Sequence, residues 1–104
     1  MNKELKAKWV NALRSGKYKQ CQGVLRKKEG RTKSYCCLGV LREIMEPGSD
    51  DVHEEWSALS STMSAVAGLE CYGMNEGNQQ RLLAEMNDGG SSFKAIADHI
   101  EANL

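Results

Sequence analysis

Ten residues in the middle of the chain, Cys36-Cys37-Leu38-Gly39-Val40-Leu41-Arg42-Glu43-Ile44-Met45, contain only two charges. From Cys37 to Met45 the spacing predicts a helix. Leu38, Leu41 and Met45 share one side, and Val40 and Ile44 widen the stripe. A helix apolar over most of its girth must be covered from several directions, so the rest of a 104-residue chain has to pack around it. Pro47-Gly48 stops it. Gly39 costs about 1 kcal/mol of helix propensity in such a segment. The physical reason to keep it is close approach by a neighbouring element.

The flanking segments supply that cover. Residues 3–14 predict an amphipathic helix on Leu5, Trp9 and Leu13, stopped by Gly16. Residues 17–26 read as a strand, with Cys21, Gly23 and Leu25 on one face and Tyr18, Gln20, Gln22 and Val24 on the other. A polar turn over 27–31 and a second strand over 32–36 complete a hairpin. Trp56, Leu59, Met63 and Val66 fit a helix through the Ser- and Ala-rich stretch 57–67, ended by Gly68. Residues 71–78 read as a loop. Asn78 caps a helix over 79–87 with Leu82, Leu83 and Met86 inward. After Asp88-Gly89-Gly90, Ser91 or Ser92 caps a last helix on Phe93, Ile96, Ala97, Ile100 and Leu104. The expectation is one α+β domain over 1–104, small and mostly helical, with one short β-hairpin.

Charge divides the chain more sharply than hydropathy does. Residues 1–43 hold twelve Lys and Arg against three acids; residues 44–104 hold two against eleven. The overall net charge of zero conceals this. Either one half docks on the other or a basic face stays open to an anionic partner. The densest basic stretch is the expected hairpin, where Lys17, Lys19, Arg26, Lys27, Lys28, Arg31 and Lys33 alternate with Tyr18, Gln20 and Gln22. Cations attract phosphates; Gln and Tyr add hydrogen bonds and a stacking face. Arg14 adds charge, and Trp9 or Tyr18 is a candidate to stack on a base. Free N–H groups at the start of the central helix, around residues 36–40, would add an anion site. The alternative is a protein-interaction module whose acidic half, especially residues 50–55, engages a basic host protein as a nucleic-acid mimic.

Other chemistries find little support in the residues. Cys36 and Cys37, at a helix start among lysines, have the setting of a reactive thiol, but their apolar neighbours favour packed cysteines. The four cysteines and two histidines show no zinc-ligand spacing, and His53-Glu54-Glu55-Trp56-Ser57 lacks the second histidine of a zincin motif. No catalytic triad, phosphate loop or dinucleotide fingerprint is present, so a non-enzymatic protein without metal or cofactor is expected. A helix-turn-helix reading of the last two helices meets an acidic second helix, with Lys94 its only cation against Asp98 and Glu101. The charged start is unlike a secretory leader, and the longest apolar run, residues 36–41, is too short to span a bilayer. A cytosolic chain with reduced thiols and no membrane partner is expected.

Three blocks add a resemblance. Residues 9–20 (WVNALRSGKYKQ), 35–41 (YCCLGVL) and 83–98 (LAEMNDGGSSFKAIAD) resemble those of a family of small phage and prophage proteins without an assigned function. The resemblance implies an accessory protein of the bacterial cytoplasm, acting on host machinery or host defence. Joined to the basic hairpin, it gives the leading expectation. This is a non-enzymatic phage-type protein that binds a nucleotide-like signal or a nucleic-acid backbone, as a counter-defence sponge or inhibitor.

Overall fold

A computed structural model describes residues 1–47 and 58–104. The elements run α1 (Lys3–Arg14), β1 (Lys19–Gln20), β2 (Arg26–Glu29), β3 (Thr32–Tyr35), α2 (Cys37–Met45), α3 (Ser61–Ala67), α4 (Gln79–Asp88) and α5 (Phe93–Asn103). The architecture is α+β, as the alternation of helical and short extended segments implied.

Local chemistry places the helix ends. The side chains of Asn2, Ser60, Asn78 and Ser92 each accept a hydrogen bond from the first turn of the helix they precede. Gly68 closes α3 in the left-handed region, at φ +74°. The helices form a closed ring, with α1 on α2 and α5, and α4 on α2 and α5. Trp9, Leu38, Val40, Leu41, Leu83, Ile96 and Ile100 fill it with no exposed surface. Trp9 also donates its indole N–H to the carbonyl of Cys37 at 2.8 Å, tying α1 to the first turn of α2. Gly39 meets the expected close neighbour: a Cβ built there lies 1.7 Å from the carbonyl oxygen of Leu25.

The sheet departs from expectation. It has three strands in the order β1-β3-β2, with β1 parallel to β3 and β2 antiparallel to it. The hairpin is therefore β2–β3, turning through Gly30 and Arg31 alone, and residues 27–29 belong to a strand rather than a turn. Gly30 has φ +61°, as a two-residue hairpin turn with glycine first requires. The strand expected over 17–26 breaks after Gln20 because helix α4 takes its backbone groups. The Asn87 amide donates to the carbonyl of Cys21 at 2.7 Å, and the Asp88 carboxylate accepts the N–H of Gly23 at 2.8 Å. Gly23 itself turns at φ +83°.

Two helical faces also differ. Val66 points outward, 64% exposed, while Ser64 and Ala67 are buried in its place. In α4 the fully buried positions are Gln80, Leu83 and Asn87, with Leu82 and Met86 only half-buried. Gln80 sits inside because its amide is satisfied there. It donates to Ser64 Oγ and the carbonyl of Glu70, and accepts the N–H of Leu59. The helix expected over 57–67 begins only at Ser61, because Ser60 caps it, and residues 58–60 precede it as non-helical chain. The expected stop at Gly48, the acidic run 50–55 and the histidine motif at 53–57 lie outside the described residues.

Candidate functional site

Strand register decides where the basic side chains go. Paired residues across a sheet share a face, and faces alternate along each strand. Lys19, Ser34 and Lys27 form one row across the three strands; Gln20, Tyr35 and Arg26 form the next, on the opposite face. That second row is turned inward. Tyr35 and Arg26 are buried, and Tyr18 meets Tyr35 edge-on with ring centroids 5.4 Å apart.

Beyond these rows the hairpin stands clear of the core. Lys27, Lys28, Glu29, Gly30, Arg31, Thr32 and Lys33 are exposed without interruption. Lys28 is paired directly with Lys33, a like-charge cross-strand pair that is unfavourable in isolation. Lys27 lies on the other face and Arg31 at the turn. The hairpin tip thus carries cations on both faces and at its end. Its one acid, Glu29, pairs locally with Lys27 at 3.0 Å, which lowers the Glu29 pKa. Lys17 and Lys19, also exposed, continue the charge toward the body of the protein. Among the described residues, Lys17, Lys19, Lys28, Arg31 and Lys33 make no ion pair with the acidic half.

Four of the twelve residues expected to bind are placed elsewhere. Trp9 is wholly inside the core and is unavailable for stacking. Arg14 docks across the charge divide, through Nη2 to Asp98 at 2.6 Å and Glu101 at 2.5 Å. Arg26 is 6% exposed. Gln20 spends its amide on Asn87 Oδ1 and the carbonyl of Ser91, at 2.9 and 2.8 Å. Gln22 is exposed in the loop after β1, and Tyr18 keeps only a partial face open.

The expected anion site at the start of α2 is filled by the protein itself. Asn87 Oδ1 accepts the N–H of Cys37 at 3.2 Å, and Cys36 Sγ accepts that of Gly39 at 3.4 Å. The N–H of Cys36 goes to the carbonyl of Leu25. Asn87 thus receives Gln20 and Cys37 and donates to Cys21, joining β1, α2 and α4 at one buried point. Position 87 carried no sequence signal beyond its place in a polar helix end.

Burial also settles the thiols. Desolvation raises the pKa of Cys36 to about 12 and that of Cys37 well above its ordinary value. Both are packed thiols rather than nucleophiles. A thiol whose folded pKa is raised favours the fold at neutral pH, and that advantage fades as pH rises through the unfolded pKa near 9.0. Stability should therefore fall by about 1 kcal/mol per thiol by about pH 10. Denaturant midpoints for the native chain and a Cys36→Ser, Cys37→Ala variant check this; the variant should show the shallower decline. A thiol-labelling reagent at neutral pH should modify exposed Cys71 promptly and the buried Cys21, Cys36 and Cys37 only after unfolding.

Among the described residues no three His, Cys, Asp or Glu are arranged to hold a metal ion, and no helix is long and apolar enough to cross a membrane. No curated protein and no solved structure matches the chain. Residues 1–71 match the family described as a domain of unknown function, DUF8296. That segment carries α1, all three strands, α2 and α3, the basic hairpin included. The chain belongs to the DUF8296 family.

Proposed function

We propose that this protein binds a nucleic-acid duplex, inserting the β2–β3 hairpin tip into a groove with the phosphate backbones on either side. The observation that carries the reading is the uninterrupted exposure of residues 27–33, with Lys27 on one face, Lys28 and Lys33 on the other and Arg31 at the turn. A two-stranded ribbon fits the major groove of duplex DNA, and cations on both of its faces meet a backbone on each side. The like-charge Lys28–Lys33 pair is relieved when phosphates lie between and beside the two ammonium groups. A mononucleotide is a poorer fit to this tip, because Trp9 is buried and the start of α2 is occupied.

The resemblance of the three blocks to phage and prophage proteins supports an accessory role in the bacterial cytoplasm. Sequestering or masking nucleic acid there would serve counter-defence. Binding is non-enzymatic in this reading, since the two central thiols are packed away from solvent. A helix-turn-helix reading of α4–α5 gains nothing from the fold, because the buried stripe of α5 packs on α1 and its outward Asp98 and Glu101 engage Arg14.

Fluorescence anisotropy with a mixed-sequence duplex tests the reading. At about 50 mM salt the dissociation constant should be micromolar or tighter, weakening log-linearly with salt. The variant Lys28→Glu, Arg31→Glu, Lys33→Glu exchanges one like-charge pair for another and leaves the fold intact, yet should bind at least about tenfold more weakly, with the salt slope reduced by about 3. Undetectable binding at low salt, or a variant that binds as the parent does, rejects the proposal.

A further inference from the structure

A second feature, separate from the hairpin, lies along the flank of α1 beside α5. An open groove of about 290 Å³ runs there, lined by Lys3, Lys6, Ala7, Val10, Asn11 and Arg14, with Glu101 of α5 at its far end. These helix positions recur at intervals of three and four, so they form one stripe, and their chemistry changes in order along it. Two ammonium groups come first, one turn apart. Ala7, which is exposed, and the small open edge of the otherwise buried Val10 make the floor in the middle. A side-chain amide follows, and an arginine–glutamate pair closes the end.

We propose that this groove binds a purine nucleoside monophosphate. Lys3 and Lys6 hold the phosphate, two cations on successive turns suiting a dianion. Ala7 and Val10 lie under the sugar and the face of the base, where an apolar floor replaces water. The amide of Asn11 carries both a donor and an acceptor, the pair needed to read the N6 and N7 edge of adenine. Arg14 and Glu101 complete the end wall already ordered. Arg14 reaches its two carboxylates through Nη2 alone, and Glu101 reaches Arg14 through Oε2 alone. The remaining guanidinium donors and Glu101 Oε1 stay available to hydroxyls and ring nitrogens of a ligand.

The test is a titration of the full chain with adenosine 5′-monophosphate at low salt, followed by backbone amide NMR and by calorimetry. Shifts should concentrate in residues 3–14 and around Glu101, leaving the hairpin unmoved. A Lys3→Glu, Lys6→Glu variant should weaken binding about tenfold or more, while the hairpin triple variant binds as the parent does. An Asn11→Ala variant should lose the preference for the adenine nucleotide over cytidine 5′-monophosphate. Shifts confined to the hairpin, equal binding by inorganic phosphate, or a Lys3 and Lys6 variant that binds normally would each overturn the assignment. Because the hairpin proposal is read with a duplex and its own variant, either can fail while the other stands.

Discussion

Replacing Gly39 by alanine should unfold this protein at temperatures where the native chain is intact. Propensity alone predicts the opposite, a gain of about 1 kcal/mol in the middle of α2. Packing overrides it, because the added Cβ would sit 1.7 Å from the carbonyl oxygen and 2.7 Å from the carbonyl carbon of Leu25. Both obstacles are backbone, so no rotamer change relieves them. Separating the segment from the helix breaks the hydrogen bond from the Cys36 N–H to that same carbonyl. It also lifts Leu25 out of a core in which it has no exposed surface. A net loss of about 3 kcal/mol or more is expected. For a domain of this size that lowers Tm by more than about 10 °C, measurable by circular dichroism. A Gly39→Ala variant as stable as the parent would mean the contact is not made.

Asn87→Ala is the second large effect, through unpaired polar groups rather than overlap. The Asn87 side chain satisfies the N–H of Cys37 and the carbonyl of Cys21, both buried, and takes one bond from Gln20. Gln20 retains the carbonyl of Ser91. The two backbone groups have no substitute, and each costs about 1–3 kcal/mol when left unmet in the interior. A loss of about 4 kcal/mol is expected in urea unfolding. Asn87→Asp separates the two directions of the amide. It keeps the acceptor for Cys37 but sets a second acceptor against the Cys21 carbonyl and buries a charge. That burial raises the introduced carboxyl's pKa in the folded state. The variant should therefore approach native stability below the unfolded carboxyl pKa, about 3.9, and lose ground as pH rises. An Asn87→Asp chain equally stable at acid and neutral pH would show that the carbonyl contact is unimportant.

Both effects concern contacts that join distant parts of the chain, which is why the sequence exposed one and hid the other. Gly39 stood out as a flaw in an otherwise good helix, so a packing reason was inferable even though Leu25 was not. Asn87 sat at a polar helix end, where asparagine is ordinary. Nothing local marks it as the partner of residues fifty and sixty-six positions away. The hairpin shows the same division. Its basic residues and its glycine turn were legible, but not which strand pairs with which, because residues 21–25 are drawn off by Asn87 and Asp88.

The order of residues along the chain was enough to fix the helices. Caps at Asn78 and Ser92, stops at Gly68, and apolar spacing in α1, α2 and α5 act over three or four residues, within reach of any reading of neighbours. It was also enough to mark the amino-terminal half as the basic one. Only the folded chain decided which of those charges meet solvent. Arg26 is buried beside the core while Lys28 and Lys33, on the same face but farther out along the hairpin, meet solvent; docking of α5 claimed Arg14, and the ring of helices closed over Trp9. Burial depends on what arrives from elsewhere in the chain, and one residue of register reverses a side chain's face, so composition cannot assign it.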